Sequence, residues 1–211
     1  MDLARTAFTG ALLYALTLGS ADATDPSTLF SSAQIPLYQD SSGTGQLGSI
    51  TPGTGLTVVG EANGGARDQV TVEGWSPQNA VTTLFQAPGV RILLARLGSA
   101  ATTSRTVIER TKDSYGTDWE HVKLSGWVPA SEVVPDILVV WAQAEQLLNA
   151  HCSNCHTLYQ PTQMAPNAWP GTLQSMAQQA NLDPAQVALL TKYMQVHALE
   201  KSSSPPMENR Q

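Results

Sequence analysis

The segment Gln69-Val-Thr-Val-Glu-Gly-Trp-Ser-Pro77 returns as His121-Val-Lys-Leu-Ser-Gly-Trp-Val-Pro129, with Gly, Trp and Pro in matching places. A second echo precedes each copy, Leu37-Tyr38-Gln39 in the first and Leu84-Phe85-Gln86 in the second. Such a duplication confines this part of the chain to two like units of about fifty residues. In the first unit the apolar runs Ile35 to Tyr38, Gln46 to Ile50, Leu56 to Val59 and Val70 to Val72 are short, and turn residues such as Ser42-Gly43, Pro52-Gly53 and Gly64-Gly65 separate them. Runs of that length and spacing predict antiparallel strands in a small barrel. We therefore read two tandem modules, residues 34–82 and 83–135, packed on each other because units so small bury little surface alone.

The module ends resemble bacterial SH3-like modules, in which a strand, a Gly-Trp and a short closing segment complete a five-stranded barrel. Gly126-Trp127-Val128-Pro129 fits that pattern better than Gly74-Trp75-Ser76-Pro77. Residues 24–33 are small and polar and read as a linker. Ahead of them, Arg5, an apolar run from Ala7 to Leu18 and Ala21-Asp22-Ala23 make residues 1–23 a signal peptide, cleaved on export to the periplasm. The mature chain is expected to carry no membrane span. The tail 201–211 is expected to be disordered.

After Pro135 the pattern becomes helical, and residues 136–200 are expected to form a small all-α domain. Asp136 suits an N-cap, and Trp141, Ala144, Leu148 and Cys152 then share one helix face. A second helix, about Ala168 to Ala180 with Asn167 as its cap, places Trp169, Leu173 and Met176 together. The third starts at Asp183-Pro184-Ala185-Gln186, a capping box with Pro at the first helical position, and stripes Val187, Leu190, Met194 and His197 on one side.

The chain has two cysteines, and both lie in Cys152-Ser153-Asn154-Cys155-His156. This is C-x-x-C-H, the attachment sequence for c-type haem. Thiols three residues apart can reach the two vinyl groups on one edge of a porphyrin, and the next residue, His156, then becomes the proximal iron ligand. A thioredoxin-like pair would open a helix within a βαβ pattern, and zinc would need further ligands nearby; neither context is present. The expected cofactor is one covalent haem c on Cys152 and Cys155. For the distal iron position Met176 is favoured by its helical placement and its apolar face, and Met164, in a Pro-containing loop, is the alternative.

The stretch from about Ala33 to Ala198 resembles the C-terminal part of the pentahaem cytochromes c that serve trimethylamine N-oxide and dimethyl sulfoxide reductases. The residues that carry this are the C-x-x-C-H, Asn167-Ala168-Trp169, Gly171-Thr172-Leu173, Met176 and Leu189-Leu190-Thr191-Lys192-Tyr193. The resemblance implies a haem pocket built with Trp169, Leu173 and Tyr193, and an electron carrier without catalysis of its own. It also implies two partners, a periplasmic molybdopterin S- or N-oxide reductase and an upstream quinol-oxidising cytochrome. The tetrahaem, membrane-anchored part of that family has no counterpart in this sequence. A haem-based sensor, or an acceptor for a periplasmic dehydrogenase, is the alternative function.

Seventeen acidic residues against eleven Lys and Arg, with a net charge of −6, exclude nucleic acid and polybasic membrane binding. Over residues 137–201 Glu145, Asp183 and Glu200 face Lys192 and Lys201. So even a charge predicts a docking patch with little long-range steering.

Overall fold

The computed structural model describes residues 27–61 and 65–199. The expected signal peptide and C-terminal tail lie outside the described residues. The chain is rich in strand up to Val134 and helical beyond it. Ten strands form one antiparallel sheet: β1 (Thr28–Ser31), β2 (Ile35–Tyr38), β3 (Gln46–Ile50), β4 (Gly55–Glu61), β5 (Arg67–Pro77), β6 (Thr83–Ala87), β7 (Val90–Leu97), β8 (Thr106–Lys112), β9 (Asp118–Pro129) and β10 (Val133–Val134). A short helix, α1 (Ser99–Ser104), links β7 to β8. The expected linker is in part a strand: β1 pairs with both β4 and β10, and Ser31 is fully buried, donating its hydroxyl to the Thr51 carbonyl at 2.6 Å.

The two repeat copies do not close separately. β5 and β9, which carry the two Gly-Trp segments, pair along eleven residues from Arg67↔Pro129 to Pro77↔Trp119. In that ladder Val72 faces Leu124, the same position of the two copies. Each Gly-Trp then reaches the opposite copy's opening segment: Trp75 pairs with Phe85, and Trp127 pairs with Tyr38. The hairpins β2–β3 and β6–β7 are likewise joined through β3–β7. The two copies thus pair across each other and do not form the two separately closed tandem modules expected. Following β5, β6, β7, β3, β2 and β9 leads back to β5, so the pairings form a closed circuit. Exchange merges two small cores into one, with Ile35, Leu37 and Ile50 of the first copy buried against Leu84, Val122 and Leu124 of the second. Each fully buried aliphatic side chain contributes about 1.5–3 kcal/mol, and the larger shared core buries more of them than a lone unit can.

The repeated glycines are where the exchange is tightest. A Cβ on Gly74 would sit 2.8 Å from Leu84 Cγ and from the Phe85 carbonyl oxygen; on Gly126 it would sit 2.6 Å from Leu37 Cδ1 and 2.9 Å from the Tyr38 carbonyl oxygen. The same clash with the same motif of the other copy accounts for both glycines.

Three main helices follow: α2 (Ile137–Leu147), α3 (Trp169–Met176) and α4 (Pro184–Ala198). Asp136 caps α2 by accepting from Leu138 N–H, and Asp183 and Gln186 form the expected capping box of α4. Asn167 does not cap α3. Its side chain instead accepts from Arg91 N–H at 2.8 Å and donates to the Gly89 carbonyl at 2.8 Å, tying the helical region to the β6–β7 hairpin. The helices have their own core of Val140, Trp141, Ala144, Trp169, Leu173, Leu190 and Met194. Trp141 also packs on Gly53, whose φ is +66° and whose missing Cβ makes room for the indole ring.

Candidate haem-attachment site

α2 buries Val140, Trp141 and Ala144 and passes directly into a wider π turn, Leu148–Cys152, which carries the first cysteine. Turns of that kind interrupt helices mostly at functional positions. The two residues between the cysteines have a structural task. Ser153 donates its hydroxyl to the Asn149 carbonyl at 2.6 Å, and the Asn154 amide donates to the Ala150 carbonyl at 3.0 Å, satisfying carbonyls that the helix end leaves unpaired. Cys152 is half-buried and Cys155 exposed, both as free thiols. Partial burial, and secondarily the neighbouring Cys155, raise the Cys152 pKa, so this thiol is held protonated.

His156 is exposed, with its ring 4.9 Å from that of Tyr159. Its Nδ1 lies 2.7 Å from the Thr157 carbonyl oxygen. A carbonyl only accepts, so Nδ1 carries the proton and Nε2 keeps a free lone pair, the form in which imidazole binds a metal.

Cys152, Cys155 and His156 share a cavity of about 350 Å³ with His151, Ser175, Met176, Gln179 and Ala180. Behind it a smaller apolar cleft is lined by Leu148, Cys152, His156, Leu158, Tyr159, Trp169, Leu173, Met176 and Met194. Met176 lines both. Trp169, Leu173 and Met176 lie along one face of α3, Trp169 fully buried with its indole N–H donating to the Pro161 carbonyl at 3.0 Å. His151 closes the outer end, its Nδ1 donating to the Ala180 carbonyl at 2.9 Å and so linking the cysteine turn to the segment after α3.

Two of the expected residues lie elsewhere. Met164 packs in the helical core, its sulfur 3.6 Å from the Thr172 hydroxyl, and lines neither cavity. Tyr193 lines neither cavity but a neighbouring cleft with Leu148, Leu158 and Tyr159, its hydroxyl donating to Glu145 Oε1 at 3.1 Å and its ring against Trp141 and His197. His197, near the end of α4, is part of that aromatic cluster, 5.5 Å from the Trp141 ring. Two thiols, a tautomer-fixed imidazole and a thioether around an apolar cleft are a donor set that suits a covalently attached haem.

Lys192 is the residue whose place the sequence conceals. It is 4% exposed, and its ammonium donates to Thr51 Oγ1 at 3.1 Å, Thr54 Oγ1 at 3.2 Å and the Leu93 carbonyl. The Leu93 carbonyl sits where β7 bulges against β6 and accepts from the Thr51 hydroxyl and the Lys192 ammonium, while the next carbonyl, of Leu94, accepts from the Thr51 backbone N–H at 2.9 Å. Burial pushes its pKa down to about 7. Being buried, it does not offset Glu145 and Asp183 at the surface, and the charge balance read from the sequence overstates the positive side. Its signal was the Ala188, Lys192, Gln195 stripe, a second buried face of α4 that a single-stripe reading passes over.

A family model described as TorC third cytochrome c domain matches residues 23–133. The chain belongs to that family. A second model, described as dihaem cytochrome c, matches residues 148–210 and takes in the attachment motif. The boundary between the two matches follows the change from sheet to helix at Val134. In this member of the TorC-type cytochromes neither cysteine falls within 23–133, so the matched TorC domain here is the sheet with its exchanged strands. Among relatives, the cytochrome c-type protein TorY of Escherichia coli O157:H7 is 31% identical over 155 residues, 73% of this chain and 42% of that protein. The cytochrome c-type protein TorC of the same organism is 29% identical over 185 residues, 87% of this chain and 46% of that protein. TorY of Haemophilus influenzae is 27% identical over 135 residues, 64% of this chain and 37% of that protein. The chain spans less than half the length of these relatives. No solved structure matches it at a significant level.

Proposed function

We propose that this chain is a monohaem electron carrier of the periplasm, with haem c joined to Cys152 and Cys155, His156 as proximal ligand and Met176 as distal ligand. Haem supplies the one-electron iron couple when bound. The chain holds it by two thioethers, sets the His156 tautomer through Thr157, and surrounds it with Trp169, Leu173 and Met194. The observation that carries this reading is that Met176 borders the same cavity as both cysteines and His156 while Met164 is engaged by Thr172 outside it. One attachment motif supports one haem, although the model that matches residues 148–210 is described as dihaem.

The TorC and TorY relatives support a molybdopterin S- or N-oxide reductase as electron acceptor and a quinol-oxidising cytochrome upstream. The leader-like residues 1–23 support export, and no helix among the described residues is long and apolar enough to cross a membrane. The closed circuit of pairings and the two Gly-Trp ends support an SH3-like barrel that serves as scaffold and docking surface.

The test is spectroscopic. The reduced alkaline pyridine spectrum should be that of c-type haem, and replacing both cysteines by Ser should abolish it. Met176→Ala should lose the near-infrared sulfur-to-iron band and bind carbon monoxide, while Met164→Ala should do neither. The reverse pattern would transfer the distal role to Met164.

A further inference from the structure

β7 carries a bulge that re-aims its side chains. Leu84 pairs with Ala95 and the next residue, Phe85, pairs with Leu93, so Leu94 is the extra residue. The bulge breaks the alternation of the strand: Ile92 and Ala95 point into the core, both 0% exposed, while Arg91, Leu93 and Arg96 come to the same outer side. Opposite them α4 presents Ala188, Thr191 and Gln195. The space between is a cleft of about 430 Å³ that shares no residue with the haem-attachment cavity.

The chemistry of this cleft is unlike that of the rest of the molecule. In a chain of net charge −6 it is lined by Arg91, Arg96 and Lys192 and by no Asp or Glu. Neither arginine takes part in an ion pair among the described residues. Its backbone is held firmly, since Asn167 accepts from Arg91 N–H and Gln195 donates to the Arg91 carbonyl at 3.3 Å. Phe85, Leu93 and Pro170 supply an apolar wall beside the two guanidinium groups. Planar guanidinium forks recognise oxyanions bidentately, and a wall of this kind selects for an attached apolar body.

We propose that the cleft is a second binding site, separate from the haem site, for a small molecule that joins an oxyanion of carboxylate or phosphate type to an apolar body. Arg91 and Arg96 meet the charge, and Phe85, Leu93 and Pro170 meet the body.

Calorimetric titration of the purified holoprotein tests this with benzoate and phenyl phosphate, which share a ring and differ in the anion. Inorganic phosphate is the probe without a body, and sodium chloride at matched ionic strength is the control. Benzoate or phenyl phosphate should bind saturably and more tightly than inorganic phosphate, and the tighter of the two identifies the anion. Arg91→Gln/Arg96→Gln should weaken that binding by about tenfold or more, with the haem spectrum unchanged. Ala188→Trp, which fills the cleft from α4 without altering a charge, should also abolish it and covers the case in which the double variant misfolds. Absence of saturable binding, equal binding by the variants, or reproduction of the signal by chloride would overturn the site. Inorganic phosphate binding as tightly as the ring compounds would remove the apolar wall from it.

Discussion

A buried ammonium without a carboxylate beside it makes Lys192 the residue with the clearest solution signature. Its pKa lies at about 7 in the folded chain, against the ordinary value of 10.5. Between those values the unfolded chain binds the proton and the folded chain does not, so stability rises with pH across that window. Below about pH 7 the full cost of burying the charge is present. The slope contributed by one such group is at most about 1.4 kcal/mol per pH unit. Urea unfolding at pH 6, 7.5 and 9 should show this rise in the native chain, and Lys192→Met should flatten it. An unchanged slope in that variant would mean that the ammonium is solvated in the folded state.

At the scale of elements, the exchange of strands between the repeat copies makes a symmetrical prediction. Gly74→Ala and Gly126→Ala each force a methyl group to within 3.0 Å of a backbone carbonyl of the other copy. Overpacking of that kind costs about 1–3 kcal/mol, and the two variants should lose similar amounts by denaturant unfolding. Gly171 is the contrast. It lies in α3, exposed, with nothing within 4 Å of a Cβ built on it. Gly171→Ala should therefore gain about 0.5–1 kcal/mol from helix propensity alone. A large loss at Gly74 with none at Gly126 would contradict the equivalence of the copies.

Over the whole molecule, the sheet and the helices are held together by polar and apolar contacts of high sequence separation. Lys192 reaches Thr51 and Thr54, Gln195 donates to the Arg91 carbonyl, Asn167 bridges Gly89 and Arg91, and Trp141 covers Gly53. Unfolding followed by the haem band and by the fluorescence of the sheet tryptophans Trp75, Trp119 and Trp127 should accordingly give one shared transition. Two separated transitions would show independent domains. With Lys192 buried, the three acids Asp136, Glu145 and Asp183 are the charged side chains on the surface of the described helical region, and no lysine ring surrounds the attachment site. Electron transfer to a reductase should then vary little between low and physiological ionic strength, because screening weakens only charged encounters. A steep fall in association rate with salt would refute the uncharged patch.

The readings that sequence alone supported were local ones. Cys152, Cys155 and His156 fall within five residues, and Asp136 and Asp183 act on backbone groups two or three residues away, so each of these readings needs only local spacing. The duplication was equally plain, yet which strands would pair was not. Trp75 has a Leu-Phe or Leu-Tyr segment available in either copy, and the pattern of apolar residues is the same for closure within a copy or across copies. Core size decided between them, since exchange merges two marginal cores into one. The burial of Lys192 belongs to the same class, because what makes it tolerable is a β-bulge about a hundred residues earlier, whose spare carbonyl exists only once β6 and β7 have paired. Between Met176 and Met164 the sequence favoured the first on its helical placement, without placing either against the cysteines. Their difference lies in the fold, which turns one side of α3 toward the cysteines and leaves Met164 beside Thr172.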